Sequence, residues 1–483
     1  MNPLEFKRSM LTRRAFLANS GLSLGAMALA DLSAAEGRAS GFPAGDGAPL
    51  GPHHSPRARS VIYLHMSGSP PQLDMFDPKP RLQELHGSLC PKSFIEGKRL
   101  AFIKGHPTLL GSPFSFGRYG ESGVEVSELV PHMGQIMDRA TLIRTMHTDQ
   151  FNHGPAELRL FTGDRNVGAA AMGAWASWGL GTENRDLPAF VVLTSGGTDP
   201  SAGKSVWGSG FLPSATQGVR LRGSGEPILY VSDPKGMDRN LRRRTLDALA
   251  ALNLRRAEQQ GDPETEARIS QYELAFRMQA SVPELMDIGQ EPADVHELYG
   301  SQPGQASFAN NCLLARRLVE SGVRWVQLYD WGWDTHGTGT GDDLLTALPK
   351  KCRETDRAAA ALVLDLDRRG LLDETLVVWG GEFGRTAMNE ARNGSTYWGR
   401  DHHPDCFSLW MAGAGVHRGR VVGETDELGY TIAEGAISVH DLQDTIMHLM
   451  GLDTRSMSYP YQGLDRRLVG AADHSSVQHH LFS

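Results

Sequence analysis

The feature that most constrains this chain is an alternation of two kinds of segment. Short apolar runs, each closing in a polar or glycine-bearing loop, are separated by longer amphipathic stretches. The first run, SVIYLHM at 60–66, stops at Ser67-Gly68-Ser69-Pro70-Pro71. A run that is apolar at almost every position has no face to give to water, so it reads as a strand covered on both sides. The segments 140–145, 189–194, 323–329, 375–379 and 407–411 read the same way. Helical spacing marks 237–258, 263–286, 306–321, 352–369 and 440–450, and 155–161 opens a further helix with Pro155 in its first turn. Strands alternating with helices predict an α/β fold: a mostly parallel central sheet with helices on both faces.

Composition narrows the functional classes. With 40% hydrophobic and 22% charged residues over 483 positions, a sizeable core is available and wholesale disorder is excluded. A net charge of -8 argues against a nucleic acid as partner. Eighteen histidines put metal or acid–base chemistry in view. Cys90, Cys312, Cys352 and Cys406 show no CxxC spacing, which disfavours a zinc–cysteine site and leaves both disulfides and plain buried thiols open.

The N-terminus reads as an address. Lys7, Arg8, Arg13 and Arg14 precede a weakly apolar run, and Ala28-Leu29-Ala30 offers a cleavage site before Asp31. Arg13-Arg14 is the pair of a twin-arginine (Tat) signal, so 1–30 is expected to engage the Tat export machinery, with a periplasmic or extracellular destination. Four basic groups against one acid lie in this segment, which leaves the mature chain nearer about -11. No apolar stretch of spanning length occurs, so no stable transmembrane span is expected in the mature form. Residues 31–58, rich in Ala, Gly, Pro, Ser and His, read as a flexible stalk. A main domain follows over 59–470, with a mainly helical insertion around 200–300 as a cap or subdomain, and 471–483 forms a tail.

Ligands of open α/β sheets gather beyond the carboxyl ends of the strands. Polar clusters fall there repeatedly. Asp74 and Asp77 follow the first strand, His147, Asp149, Asn152 and His153 the second, and Asp330 to Gly337 (DWGWDTHG) the fourth. Gly380 to Thr386 (GGEFGRT) follow the fifth, and Gly399 to Pro404 (GRDHHP) precede the last. Asp, Glu and His on one edge form the ligand menu of a divalent cation such as Zn or Mn, with Ca or Mg as further candidates. Arg385 reads either as an anion clamp or as the partner of a neighbouring acid. Trp331 and Trp333 read as buried under their loop or as platforms for sugar rings.

These motifs carry a resemblance. The segment 153–163 (HGPAELRLFTG) resembles the sulfatase signature, and 356–384 resembles the late helix and strand of sulfatases. The chain from about residue 60 onward is more closely similar to a secreted, sulfatase-like family known as domain of unknown function 1501. That likeness rests on DMFDPKP at 74–80, NHG at 152–154, WDTH at 333–336, GGEFGRT at 380–386 and GRDH at 399–402. It implies the three-layer alkaline-phosphatase/sulfatase-like fold. Departures matter as much. His153 stands where sulfatases carry the residue matured to formylglycine, Glu157 stands at the signature arginine, and Phe383 replaces a metal ligand. Formylglycine chemistry is therefore excluded.

What the resemblance implies for the site is a metal set drawn from Asp334, His336, His402, Glu382 and Asp74. Its catalytic candidates are His153, Glu382 and Arg385, and Asn152, Arg385 and Arg400 are candidates for holding substrate. His153 stays open as ligand, base or nucleophile. Two functions follow: a metal-dependent hydrolase of a sulfate or phosphate ester, perhaps on a glycan, or a catalytically inactive envelope protein of the same fold that binds a glycan or a protein partner.

Overall fold

A computed structural model describes residues 50–98, 100–223, 237–260, 263–470 and 473–483. The signal at 1–30 and the stalk up to residue 49 lie outside the described residues. A nine-stranded sheet organises the molecule. Its strands are β1 (Ser60–Ser67), β2 (Ala140–His147), β3 (Phe190–Ser195), β4 (Val219–Arg220), β5 (Trp325–Trp331), β6 (Thr375–Gly380), β7 (Phe407–Ala412), β8 (Arg420–Val422) and β9 (Ile437–Ser438). The order is β8-β2-β7-β6-β1-β5-β3-β4, with β9 also on β2. Every pairing is parallel except those of β7, which runs antiparallel to β2 and β6. The expected mixed α/β architecture with a mostly parallel sheet is the one observed.

Side-chain alternation sorts the two layers. Ile62, Leu64 and Met66 of β1 point to one face, under α5 (Phe308–Glu320) and α6 (Ala347–Arg368). Val61 and Tyr63 point to the other, under α1 (His153–Thr162), α2 (Met172–Leu180) and α7 (Val439–Leu449). By the same period of two, His65 faces α1. All eight residues of β1 are buried, as the continuous apolar run requires.

The helical insertion contains α3 (Arg239–Gln260) and α4 (Pro263–Met286), which pack on each other. Arg277 and Ser281 of α4 donate to the carbonyls of Arg185 and Asp186, and Arg317 of α5 donates to the carbonyls of Glu284 and Leu285. These contacts set the pair against the β3–β4 end of the sheet. The last residues of the expected stalk are instead docked on the fold: Gly51 donates to the Gly179 carbonyl (2.9 Å), His53 to Gly451 (2.8 Å) and Ala58 to Leu449 (2.8 Å). Helix α6 begins five residues earlier than the spacing suggested. All four cysteines are buried free thiols, which closes the disulfide alternative. Among the described residues no helix is long and apolar enough to cross a membrane.

Candidate metal centre

The loops after β1, β5 and β6 meet at one point. Gly68, at φ +105°, makes the approach feasible, since a Cβ there would lie 2.6 Å from the Asp334 nitrogen. Its N–H donates to Glu382 Oε1 (3.1 Å) and its carbonyl accepts from Arg385. Beyond β6 the chain forms a ribbon for which the sequence carries no strand expectation: Gly384–Asn389 pairs antiparallel with Arg400–His403, placing His402 opposite Arg385.

At that point His153, Asp334, His336 and His402 converge, with one ligand atom of each within 4.8 Å of the others. Asp334 Oδ1 lies 2.8 Å from His336 Nε2, 3.3 Å from His153 Nε2 and 3.4 Å from His402 Nε2. The opposite ring nitrogens are all engaged. His153 Nδ1 meets Glu382 Oε1 at 2.5 Å, His402 Nδ1 meets the Phe151 carbonyl at 2.7 Å, and His336 Nδ1 makes a short contact with Glu390. Each acceptor calls for a proton on Nδ1, so each neutral ring turns the lone pair of Nε2 toward Asp334. Three lone pairs facing a carboxylate repel it unless a proton or a metal cation stands among them. His153 Nε2 is accordingly buried without a hydrogen-bond partner. Imidazole and carboxylate donors in this number fit a divalent transition ion.

The electrostatics express the same deficit. Burial pulls the His153 pKa down, but the close carboxylates of Asp334 and Glu382 outweigh it and raise it to about 9. Burial pushes Asp334 up, yet Arg385 and the three imidazoles hold its carboxyl well below the usual range. His402 is driven down to about 3, chiefly by burial, with Arg385 and His153 adding to it. Phe383 is buried and packs on the rings of His153 and His402, at 4.9 and 4.6 Å between centroids. Phe102 meets His336 and His402 edge-on from the outer side, in a loop pinned by Asp401, which accepts from the N–H groups of Phe102 and Ile103.

Several expected residues stand elsewhere or do something else. Arg385, expected to hold substrate, is fully buried. Four of its five N–H donors go to the carbonyls of Ser69, Gly68 and Arg400 and to Asp334 Oδ1 (2.5 Å), so the side chain is committed to the protein interior rather than presented to a ligand. Arg400 and Asp74, expected to hold substrate and metal respectively, hold each other. Their two hydrogen bonds, of 2.7 and 3.0 Å, join side chains that are both completely buried. Asn152 is exposed at the N-cap of α1, with no side-chain capping bond. Glu382 is fully buried behind His153 and belongs to a second group, with His65 and Glu157. Trp333 is buried and packs on Trp379, whereas Trp331 is partly exposed beside His153.

The sequence reading missed Glu390, which orients His336, and Arg392, which pairs with Glu390 and lies 3.1 Å from His336 Nδ1. It also missed His65, although a histidine in an otherwise apolar strand was a visible signal. A cleft of about 920 Å³ opens at the far end of α1, lined among others by Arg159, Arg165, Tyr461 and Arg467, and includes no member of the cluster.

A family model described as "Protein of unknown function (DUF1501)" matches residues 58–481. The chain belongs to this family. Among solved structures, similarity is found to the PsFucS1 sulfatase from Pseudoalteromonas sp., at 11% identity and a TM-score of 0.38 over 83% of this chain and 69% of that one. The phosphonate monoester hydrolase SpPMH from Silicibacter pomeroyi is 13% identical, with a TM-score of 0.28 over 82% and 73%. The alkaline phosphatase of the Antarctic bacterium TAB5 is 10% identical, with a TM-score of 0.33 over 82% and 99%. No protein of curated function matches the chain.

Proposed function

We propose that this chain is an exported, metal-dependent hydrolase of a sulfate or phosphate ester that works without a formylglycine nucleophile. The observation that carries the reading is the convergence of three Nε2 atoms on one oxygen of Asp334, each ring fixed from behind by its own acceptor. His153, Asp334, His336 and His402 would hold the ion. Such an ion supplies Lewis acidity toward an ester oxygen and acidifies water to a nucleophile near neutral pH. Glu382, Glu390 and the Phe151 carbonyl keep the three rings in register. Arg385 holds Asp334 in its ionised form and takes no part in binding substrate. With Arg385 and Arg400 spent internally, Arg392 is the guanidinium beside the cluster with some exposure, and it takes the role of anion contact. The twin-arginine pair supports export by the Tat route.

A second reading, an inactive envelope protein binding a glycan, draws on one observation: both arginines expected to hold the anion are buried and consumed. Elemental analysis of chain purified without chelators, beside His402→Ala, separates the two. Divalent metal that drops by one ion per chain in the variant, with turnover of a sulfate or phosphate ester that drops with it, supports the hydrolase. A stable chain that takes up no ion at this cluster under Zn or Mn loading overturns the centre. Glycan binding that survives both His402→Ala and chelation, with no turnover across a broad ester panel, establishes the second reading instead.

A further inference from the structure

Behind the outer cluster lies a set of polar groups of which this mechanism uses only one oxygen of Glu382. His65 comes from β1, Glu157 from α1 and Glu382 from the loop after β6, and the side chains of all three are completely buried. His65 Nε2 stands 3.4 Å from Glu382 Oε2 and 3.8 Å from Glu157 Oε1, and one ligand atom of each residue lies within 4.8 Å of the others. None of these facing atoms has a hydrogen-bond partner. The remaining oxygens are satisfied: Glu157 Oε2 accepts from the Ala202 N–H at 2.8 Å, and Glu382 Oε1 accepts from Gly68 and His153. Of the two carboxylates, the unsatisfied oxygens are therefore the ones aimed at His65, whose two ring nitrogens are both without a partner.

Charge sharpens the point. Among the described residues neither carboxylate has a lysine or arginine within salt-bridge distance, and only histidines stand near them. Two buried carboxylates that share only imidazoles, one of them His153 on the far oxygen of Glu382, are under-compensated at their facing oxygens, and nothing here offers them solvent. A divalent ion would cancel the pair, and imidazole with two carboxylates is a donor set such ions accept. Ligand bonds of about 2.0–2.2 Å bring neighbouring donors to spacings of roughly 3–4 Å, the spacings seen here.

We infer that His65, Glu157 and Glu382 form a second, enclosed divalent-cation site, separate from the outer cluster and sharing with it only the two ends of the Glu382 carboxylate. One oxygen of Glu382 takes the inner ion and the other holds His153, so an ion in the inner site fixes the ring orientation of an outer ligand. Access differs between the two. The inner side chains are fully buried, whereas Asp334 keeps 29% of its side chain exposed, so the inner ion exchanges far more slowly.

The test uses the full chain loaded with Zn²⁺ or Mn²⁺, and reads ion content together with anomalous scattering from crystals. The inference expects two ions per chain, one of them between His65, Glu157 and Glu382. Glu157→Gln, close in shape, should lose that ion and keep the outer one. His402→Ala should lose the outer ion and keep the inner, which tells a failure of the outer-site reading from a failure of this one. EDTA should strip the outer ion first and leave the inner until the chain unfolds. If Glu157→Gln does not fold, the wild-type anomalous map decides alone. A metal-saturated crystal with no anomalous peak between the three residues overturns the inner site, as does a folded Glu157→Gln chain that retains both ions.

Discussion

Glu390 need not touch an ion to govern one. It fixes the ring of His336 from behind, and losing an acceptor of this kind typically weakens metal affinity about 10–100-fold. Glu390→Gln should therefore lower affinity by that factor while the thermal unfolding of the ion-free chain changes little, as competition with a chelating dye would read. Proton competition gives a second prediction. In the ion-free chain His153 titrates at about 9, because Asp334 and Glu382 outweigh the effect of burial, whereas burial first of all holds His402 down at about 3. Below pH 9 an entering ion must displace the proton of His153, and above pH 3 it displaces none from His402. Affinity should thus rise with pH, about tenfold per unit, and level off near 9. Calorimetry in buffers of different ionisation enthalpy should find a released proton that His153→Ala abolishes. An affinity that falls as pH rises through neutrality would exclude this account.

At the scale of elements, the ribbon Gly384–Asn389/Arg400–His403 is what carries His402 to the other ligands. Its anchor is the buried Asp74–Arg400 pair. Asp74→Asn leaves a guanidinium uncompensated in the interior and should cost about 3–5 kcal/mol in urea unfolding, far beyond a surface exchange. The sequence made the sheet legible because each core strand is apolar at nearly every position, so 60–66 and 375–379 admit no other reading. It hid this ribbon because Arg385 and Arg400 look solvent-facing until the carbonyls and Asp74 that consume their donors are in place. The outer ligands were legible as WDTH and GRDH placed at strand ends. The place of His153 among them stayed open between ligand, base and nucleophile, since the fixing of its tautomer depends on Glu382, 229 residues away. Nor was the inner triplet, because Glu157 in α1 reads as an ordinary helical acid until β1 is laid beneath it.

Over the whole molecule the two ends of the described chain are stitched to the same region. His54 packs at a tilt on His448 of α7 (4.2 Å between centroids), and His448 meets His479 at 5.2 Å. Leu481 and Phe482 are buried, His417 donates to the Leu481 carbonyl, and Ser483 donates to that of Gly415. Deleting residues 479–483 should destabilise the chain by several kcal/mol, at about 1.5–3 for each large apolar side chain uncovered. The deletion should leave ion content at saturation unchanged, which a paired melt and metal assay would check.

The docking of residues 51–58 has a practical side. These residues join the fold where β1 begins, and the histidine cluster lies past the point where β1 ends. Eight strand residues separate the two places, roughly 26 Å at about 3.3 Å per residue. A bead, dye or lipid coupled ahead of residue 50 would hold the molecule at the end of β1 away from the histidine cluster, leaving that cluster free to meet a partner too large to diffuse.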